Sequence, residues 1–259
     1  MTLGAITPDA WIVLAASPLI GSFLGMLVYR LPAGMPIAFA RSACTSCHAP
    51  LGVIDLIPVL GWVVRRGKCS HCGEPVSPLY PAIELVTIGA AVWVLMTTSG
   101  AVLWLSFGIG ATLIALAFID WRTMLLPDAL TLPLLAAGLV AALVLWPERF
   151  SDHAIGAVAG YAIFFAVEHL YARLRGRPGL GRGDSKLLAA AGAWVEWRGL
   201  PGVVLIAAVS ALATFVGWTV VRRLQGQDAT LAGDMRIAFG PFLCLGFWLT
   251  WIYGPIGLN

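Results

Sequence analysis

The 259-residue chain is 59% hydrophobic and only 11% charged, with a net charge of +3 and a mean hydropathy of +0.88. A soluble domain carries about a quarter charged residues, so this composition excludes an ordinary water-soluble fold and points to a polytopic membrane protein. With no soluble basic domain, it also argues against nucleic-acid binding.

A hydrocarbon core of about 30 Å needs roughly 20 apolar residues in helical form. Eight apolar segments are predicted to span or enter it, at residues 10–29, 82–98, 101–119, 129–146, 153–171, 185–198, 201–221 and 237–256. The first is expected to remain as an anchor, because Met1 to Asp9 carries no basic stretch and the apolar run is long and stopped by Arg30. Residues 1–29 thus form the first span, 30–81 an aqueous insert and 82–259 the polytopic remainder.

The insert holds four of the five cysteines and five of the 16 Lys and Arg residues. Cys44 and Cys47 form one C-x-x-C and Cys69 and Cys72 a second, with 21 residues between the pairs. Two such knuckles aim four thiolates at one tetrahedral ion and leave no open position, which describes a structural zinc ribbon. About 50 residues bury too little surface to fold securely alone, so metal ligation would supply the missing stability. A disulfide is the alternative, and topology separates the two. With the N-terminus external, every basic residue except Arg149 and Arg198 falls on inner links, a positive-inside pattern that puts the cysteines in a reducing cytoplasm. The fold class expected is therefore all-α, polytopic, with about eight transmembrane helices and a small cytoplasmic zinc-ribbon-like insert. Cys244, alone in the last span, reads as a small buried apolar residue.

Acids at the membrane are costly enough to need a partner or a task. Glu84, Asp120, Asp128, Glu168 and Asp184 qualify. Glu84 and Asp128 each follow a proline at the start of an apolar segment, where free N–H groups and the helix dipole favour an acid. Glu168, with His169, reads as an ordinary interface residue. Asp120 ends the third segment and has Arg122 as a possible structural partner. Asp184 follows three alternating glycines, Gly179, Gly181 and Gly183, and two readings stay open: it caps the next helix, or the glycines let a substrate backbone lie against it. The segment after it is short, about 21 Å, and must thin the bilayer or be buried in protein. Asp120 closes one segment and Asp184 opens another at the same inner face, so the two can meet.

Taken together, these residues resemble the type IV prepilin peptidase family, membrane aspartyl proteases with a G-x-G-D motif. The likeness covers Gly21-Ser22-Phe23-Leu24, Tyr29-Arg30-Leu31-Pro32, Arg41-Ser42 before the first C-x-x-C, Ile57-Pro58 and Trp62, and Tyr80-Pro81 with Glu84. It continues through Ile119-Asp120 with Leu125-Leu126-Pro127-Asp128, Gly181-x-Gly183-Asp184-x-Lys186, and Phe239-Gly240-Pro241-Phe242. It departs at Gly25, where Asn is frequent, and at Arg182 and Ser185, where aromatic residues are common.

The resemblance implies Asp120 and Asp184 as the catalytic pair, with Gly181, Gly183 and Lys186 in the active-site loop. It implies a location in the bacterial inner membrane among lipid, prepilins or pseudopilins as substrates, and a cut at the cytoplasmic face. Methylation of the new N-terminus with S-adenosylmethionine is implied as well. Two carboxylates about 4 Å apart repel by roughly 4 kcal/mol at an effective dielectric of 20, so such a pair would share one proton. A transporter with intramembrane acids is an alternative that predicts internal repeats and ion flux. A non-enzymatic assembly factor docking partners through the ribbon is another, and it predicts tolerance of both Asp substitutions.

Overall fold

The computed structural model describes residues 8–37, 41–176, 181–225 and 238–255. Gly179, Arg177, Arg236 and most of the link before the last apolar segment, all used in the sequence reading, lie outside the described residues. The main elements are α1 (Pro8–Arg30), a short α2 (Leu60–Val64), α3 (Leu79–Thr97), α4 (Ala101–Thr123), α5 (Asp128–Leu145), α6 (Phe150–Arg175), α7 (Arg182–Leu224) and α8 (Gly240–Tyr253). No strand occurs among the described residues; the only ladder-type pairings there are two isolated bridges in the insert. Among the described residues, six helices are long and apolar enough to cross a membrane, and α8, at 14 residues, is shorter. The protein is an all-helical membrane protein.

Contacts divide the chain into one unit up to Phe118 and a second from Ile119 onward, the boundary falling inside α4. In the first unit, α1 packs on α3. Gly21 allows this: a Cβ there would sit 2.7 Å from the Glu84 Cα, so only glycine permits the backbones to come so close. Tyr29 and Tyr80 stack at 4.7 Å where the two helices meet the insert. Glu84, expected as an acid at a helix start, lies near the start of α3 and does more than complement the dipole. It is buried, and one carboxylate oxygen accepts the Val59 N–H at 2.6 Å, which fastens the insert to α3.

The second unit is built around the first half of α7. From Leu187 to Ala193 every residue is buried, a helix apolar on all sides as expected for the centre of a bundle. Helices α5, α6 and α8 surround it. Small residues set the spacing: a Cβ on Gly192 would collide with the Gly156 carbonyl, and one on Gly160 would lie too close to the Leu188 backbone. Burial in protein is thus how the shortness of this segment is accommodated. The sequence expectation of two separate spans at 185–198 and 201–221 is modified. They form one helical run broken at Glu196, whose φ of 61° and ψ of 173° are non-helical. The break precedes Pro201, which then lies near the start of the second piece, where a missing N–H is better tolerated than in mid-helix.

Candidate active site

Asp120 sits in the last turn of α4 and Asp184 in the first turn of α7, and both belong to the second unit. Helix α4 stops soon after Asp120 because Met124 takes a positive φ and Pro127 follows. The Asp120 carboxylate is buried and accepts the N–H of Gly240, the first residue of α8, at 2.9 Å. It therefore lies on the positive end of that helix. A Cβ at Gly240 would stand 2.6 Å from the same carboxylate oxygen, so glycine is what admits the acid to this position.

Asp184 is also buried, and its carboxylate accepts the Gly181 N–H at 3.3 Å. It is in effect a capping acid that satisfies one free amide of its own helix. Gly183 packs against Leu126, with only 2.7 Å between a Cβ built there and the Leu126 Cβ, which draws the link after α4 onto the start of α7. The two carboxylates lie within electrostatic reach of each other, and buried Cys244 lies within reach of both. Next to Asp184, the buried Ser185 hydroxyl has no hydrogen-bond partner among the described residues. Lys186 turns aside: its ammonium pairs with both Asp128 oxygens at 2.6 and 2.8 Å.

In the first unit, bridges between Ala43 and Pro50 and between Lys68 and Pro75 close two matching knuckles around the C-x-x-C pairs. The amides of Ser46 and His71 point at the Cys44 and Cys69 sulfurs, each at 3.4 Å. Cys44 and Cys72 Sγ are 3.9 Å apart, Cys47 and Cys69 Sγ 4.0 Å, and the ligand atoms of the cluster all lie within 4.8 Å of one another. Four sulfurs around zinc at about 2.3 Å would be separated by about 3.8 Å, so the set fits a tetrahedral ion; it contains no disulfide. Backbone amides of Cys47 and Ser46 bring the Cys44 thiol down to about 6. At Cys72, despite an amide from Glu74, desolvation and the three neighbouring sulfurs push the thiol up to about 12. Four thiolates at this spacing would repel one another, and a dication among them would offset that repulsion. Asp55 braces the knuckles by accepting from Gly52 N–H, Arg65 Nε and Ser70 Oγ. Although desolvation opposes it, these partners hold its carboxyl below the usual range.

A profile of the type IV leader peptidase family matches residues 107–216, and one of the bacterial peptidase A24 N-terminal domain matches residues 15–98. The chain is 40% identical to a prepilin leader peptidase/N-methyltransferase of Burkholderia pseudomallei strain 1026b, over 91% of this chain and 82% of that protein. Relatives of the same name from Dickeya chrysanthemi (38% identity; 92% and 91% of the two chains) and Aeromonas hydrophila (34%; 94% and 90%) agree. The chain belongs to the type IV leader peptidase family. No solved structure matches it significantly.

For a leader peptidase, the second unit brings Asp120, Asp184, Gly181 and Gly183 to one place, while Lys186 is engaged by Asp128. Arg182 lies 3.9 Å from Glu168 near the opposite end of α6, so Glu168 belongs to this end of the bundle too. Sequence reasoning gave Gly240 no role; the Gly-Pro pair at a helix start was the available signal. It also passed over Glu196, because a single acid between two tryptophans has no spacing signature.

Proposed function

We propose that this leader peptidase cleaves prepilins or pseudopilins at the cytoplasmic membrane face with Asp120 and Asp184 as its acid–base pair. What supports the reading is the burial of two carboxylates at helix ends within electrostatic reach of each other, one on the amino end of α8 and one capping α7. Aspartic proteases need such a pair, with the ionised partner taking a proton from water and the protonated partner hydrogen-bonding the scissile carbonyl. The substrate's apolar helix enters from the bilayer, and its extended leader junction lies beside the glycine segment that leads into Asp184, with Leu126 covering one side of Gly183. Ser185 supplies a spare hydroxyl to water or substrate beside Asp184. Collapse of the tetrahedral adduct breaks the peptide bond as a proton passes to the leaving amine.

Orientation rests on basic residues, 14 of 16 of which fall on inner links if the N-terminus is external. This count supports the aspartates and the insert lying on the cytoplasmic side of a bacterial inner membrane. Residues 30–81 act as the metal-binding module, with Cys44, Cys47, Cys69 and Cys72 holding a structural zinc ion, and 82–259 carry the peptidase. N-methylation of the new N-terminus with S-adenosylmethionine is supported by the name its relatives carry.

The decisive experiment reconstitutes purified protein in liposomes with a prepilin and follows leader removal by mass. Asp120→Asn and Asp184→Asn should each leave the substrate intact while the protein remains inserted. Leader removal at the normal rate by either variant would overturn the assignment.

A further inference from the structure

Along α7, Glu196 lies twelve residues beyond Asp184, about 18 Å at 1.5 Å per residue, at the end of the second unit away from the aspartates. A cavity of about 390 Å³ opens there. Its wall includes Arg149 and Arg198, the only two basic residues that the charge count leaves off the inner side. Two cations expelled from one face of the membrane thus converge on one hollow at the other end of the bundle.

The rest of the lining is of opposite character. Glu196 directs its carboxylate to 3.5 Å from Arg149 and 3.6 Å from His153, distances that are loose for committed ion pairs. The buried His153 has Nδ1 at 2.9 Å from the Ala193 carbonyl, so in its neutral form the proton sits on Nδ1 and Nε2 is an acceptor. Thr250 is 2% exposed, lines the cavity, and its hydroxyl has no hydrogen-bond partner among the described residues. Its methyl is directed toward Gly199, 3.2 Å from a Cβ built there. Three indoles complete the wall: Trp251 stands edge-on to Trp194 at 5.4 Å and to Trp146 at 6.4 Å.

We propose that this cavity binds an ammonium–phosphate zwitterion, the phosphoethanolamine headgroup of a membrane lipid. Glu196, His153 Nε2 and Thr250 Oγ1 offer three acceptors to the three N–H bonds of a primary ammonium, and indole faces attract the same cation. Arg149 and Arg198 meet the phosphate. A purely anionic headgroup would face the Glu196 carboxylate, and a purely cationic ligand the two guanidiniums. A quaternary ammonium has no N–H to give the acceptors. Tryptophan and arginine at the end of a membrane bundle sit where headgroups are found. The positive φ of Glu196, which glycine would adopt more readily, places a carboxylate where the helix is broken.

The test is native mass spectrometry of the full-length protein in detergent, titrated with phosphatidylethanolamine, phosphatidylcholine and phosphatidylglycerol of matched acyl chains. Phosphatidylethanolamine should bind at least about tenfold more tightly than the other two. Thr250→Val, which keeps the methyl and shape, should erase that preference with an unchanged melting temperature. Glu196→Gln should do the same; if it does not fold, Arg198→Gln takes its place and should weaken phosphatidylethanolamine and phosphatidylglycerol alike. Competition by soluble glycerophosphoethanolamine at equal affinity would support the zwitterion site and assign it to the free compound. Equal binding of the three lipids, or full preference in Thr250→Val, would overturn the proposal.

Discussion

The cysteine cluster of the first unit and the aspartate pair of the second both gather groups that repel one another when charged, but they span different lengths of chain. Cys44 and Cys72 meet across 28 residues and sit in knuckles closed by short-range bridges, Ala43 with Pro50 and Lys68 with Pro75. Asp120 reaches Gly240 across 120 residues, and only helix packing joins them. Local geometry thus gathers four thiols at the spacing a tetrahedral ion would need. The aspartates depend instead on glycines that let α6, α7 and α8 approach: Gly156 against Gly192, Gly160 against Leu188 and Gly246 against Val203. A motif can specify the first kind of site nearly alone; the second needs the whole bundle.

This contrast can be broken most severely at the carboxylates. Asp184→Asn should lower prepilin cleavage by about 10³-fold or more without shifting the melting temperature, since it removes the proposed reacting group and leaves the packing. Gly192→Val tests the dependence on packing. It should destabilise the second unit by ~3 kcal/mol through overpacking, seen as a lower melting temperature in detergent with cleavage lost in parallel. Full activity in that variant would show that the aspartates do not need the close α6–α7 approach.

Cys69→Ser tests the independence of the first site. Metal analysis should find zinc lost, and the fluorescence of Trp62, whose indole N–H is held by the Val76 carbonyl, should report unfolding of the insert. Cleavage should fall by less than about tenfold. Asp55→Asn should give the smallest effect, about 1 kcal/mol of insert stability from weakened hydrogen bonds to Arg65, Gly52 and Ser70. Because the folded carboxyl is held low, the native residue's contribution is complete above about pH 4. It fades as the pH falls through the lowered value, so mutant and wild type should converge in acid.

Much of this was legible in one dimension because membrane burial and metal ligation leave periodic or paired traces. The apolar segments lie close to the observed helices, and the two C-x-x-C pairs converge as their spacing implies. Of the two sequence readings of Asp184, the capping acid is visible, since its carboxylate accepts Gly181 N–H, and the same buried group lies within electrostatic reach of Asp120. Asp128 is the helix-start acid its proline predicts, and it also binds Lys186 across 58 residues, a pairing no local pattern encodes.

Composition alone determined that the chain enters a membrane, and local spacing determined where helices form and which thiols can share an ion, because hydropathy and short loops act between near neighbours. Tertiary structure alone decided that Glu84 anchors the insert through Val59, that Gly240 receives Asp120, and that α7 breaks at Glu196 beside a polar hollow. Each of these depends on backbone approach between remote segments, where the presence or absence of a single Cβ sets the outcome and leaves no periodic trace in the chain.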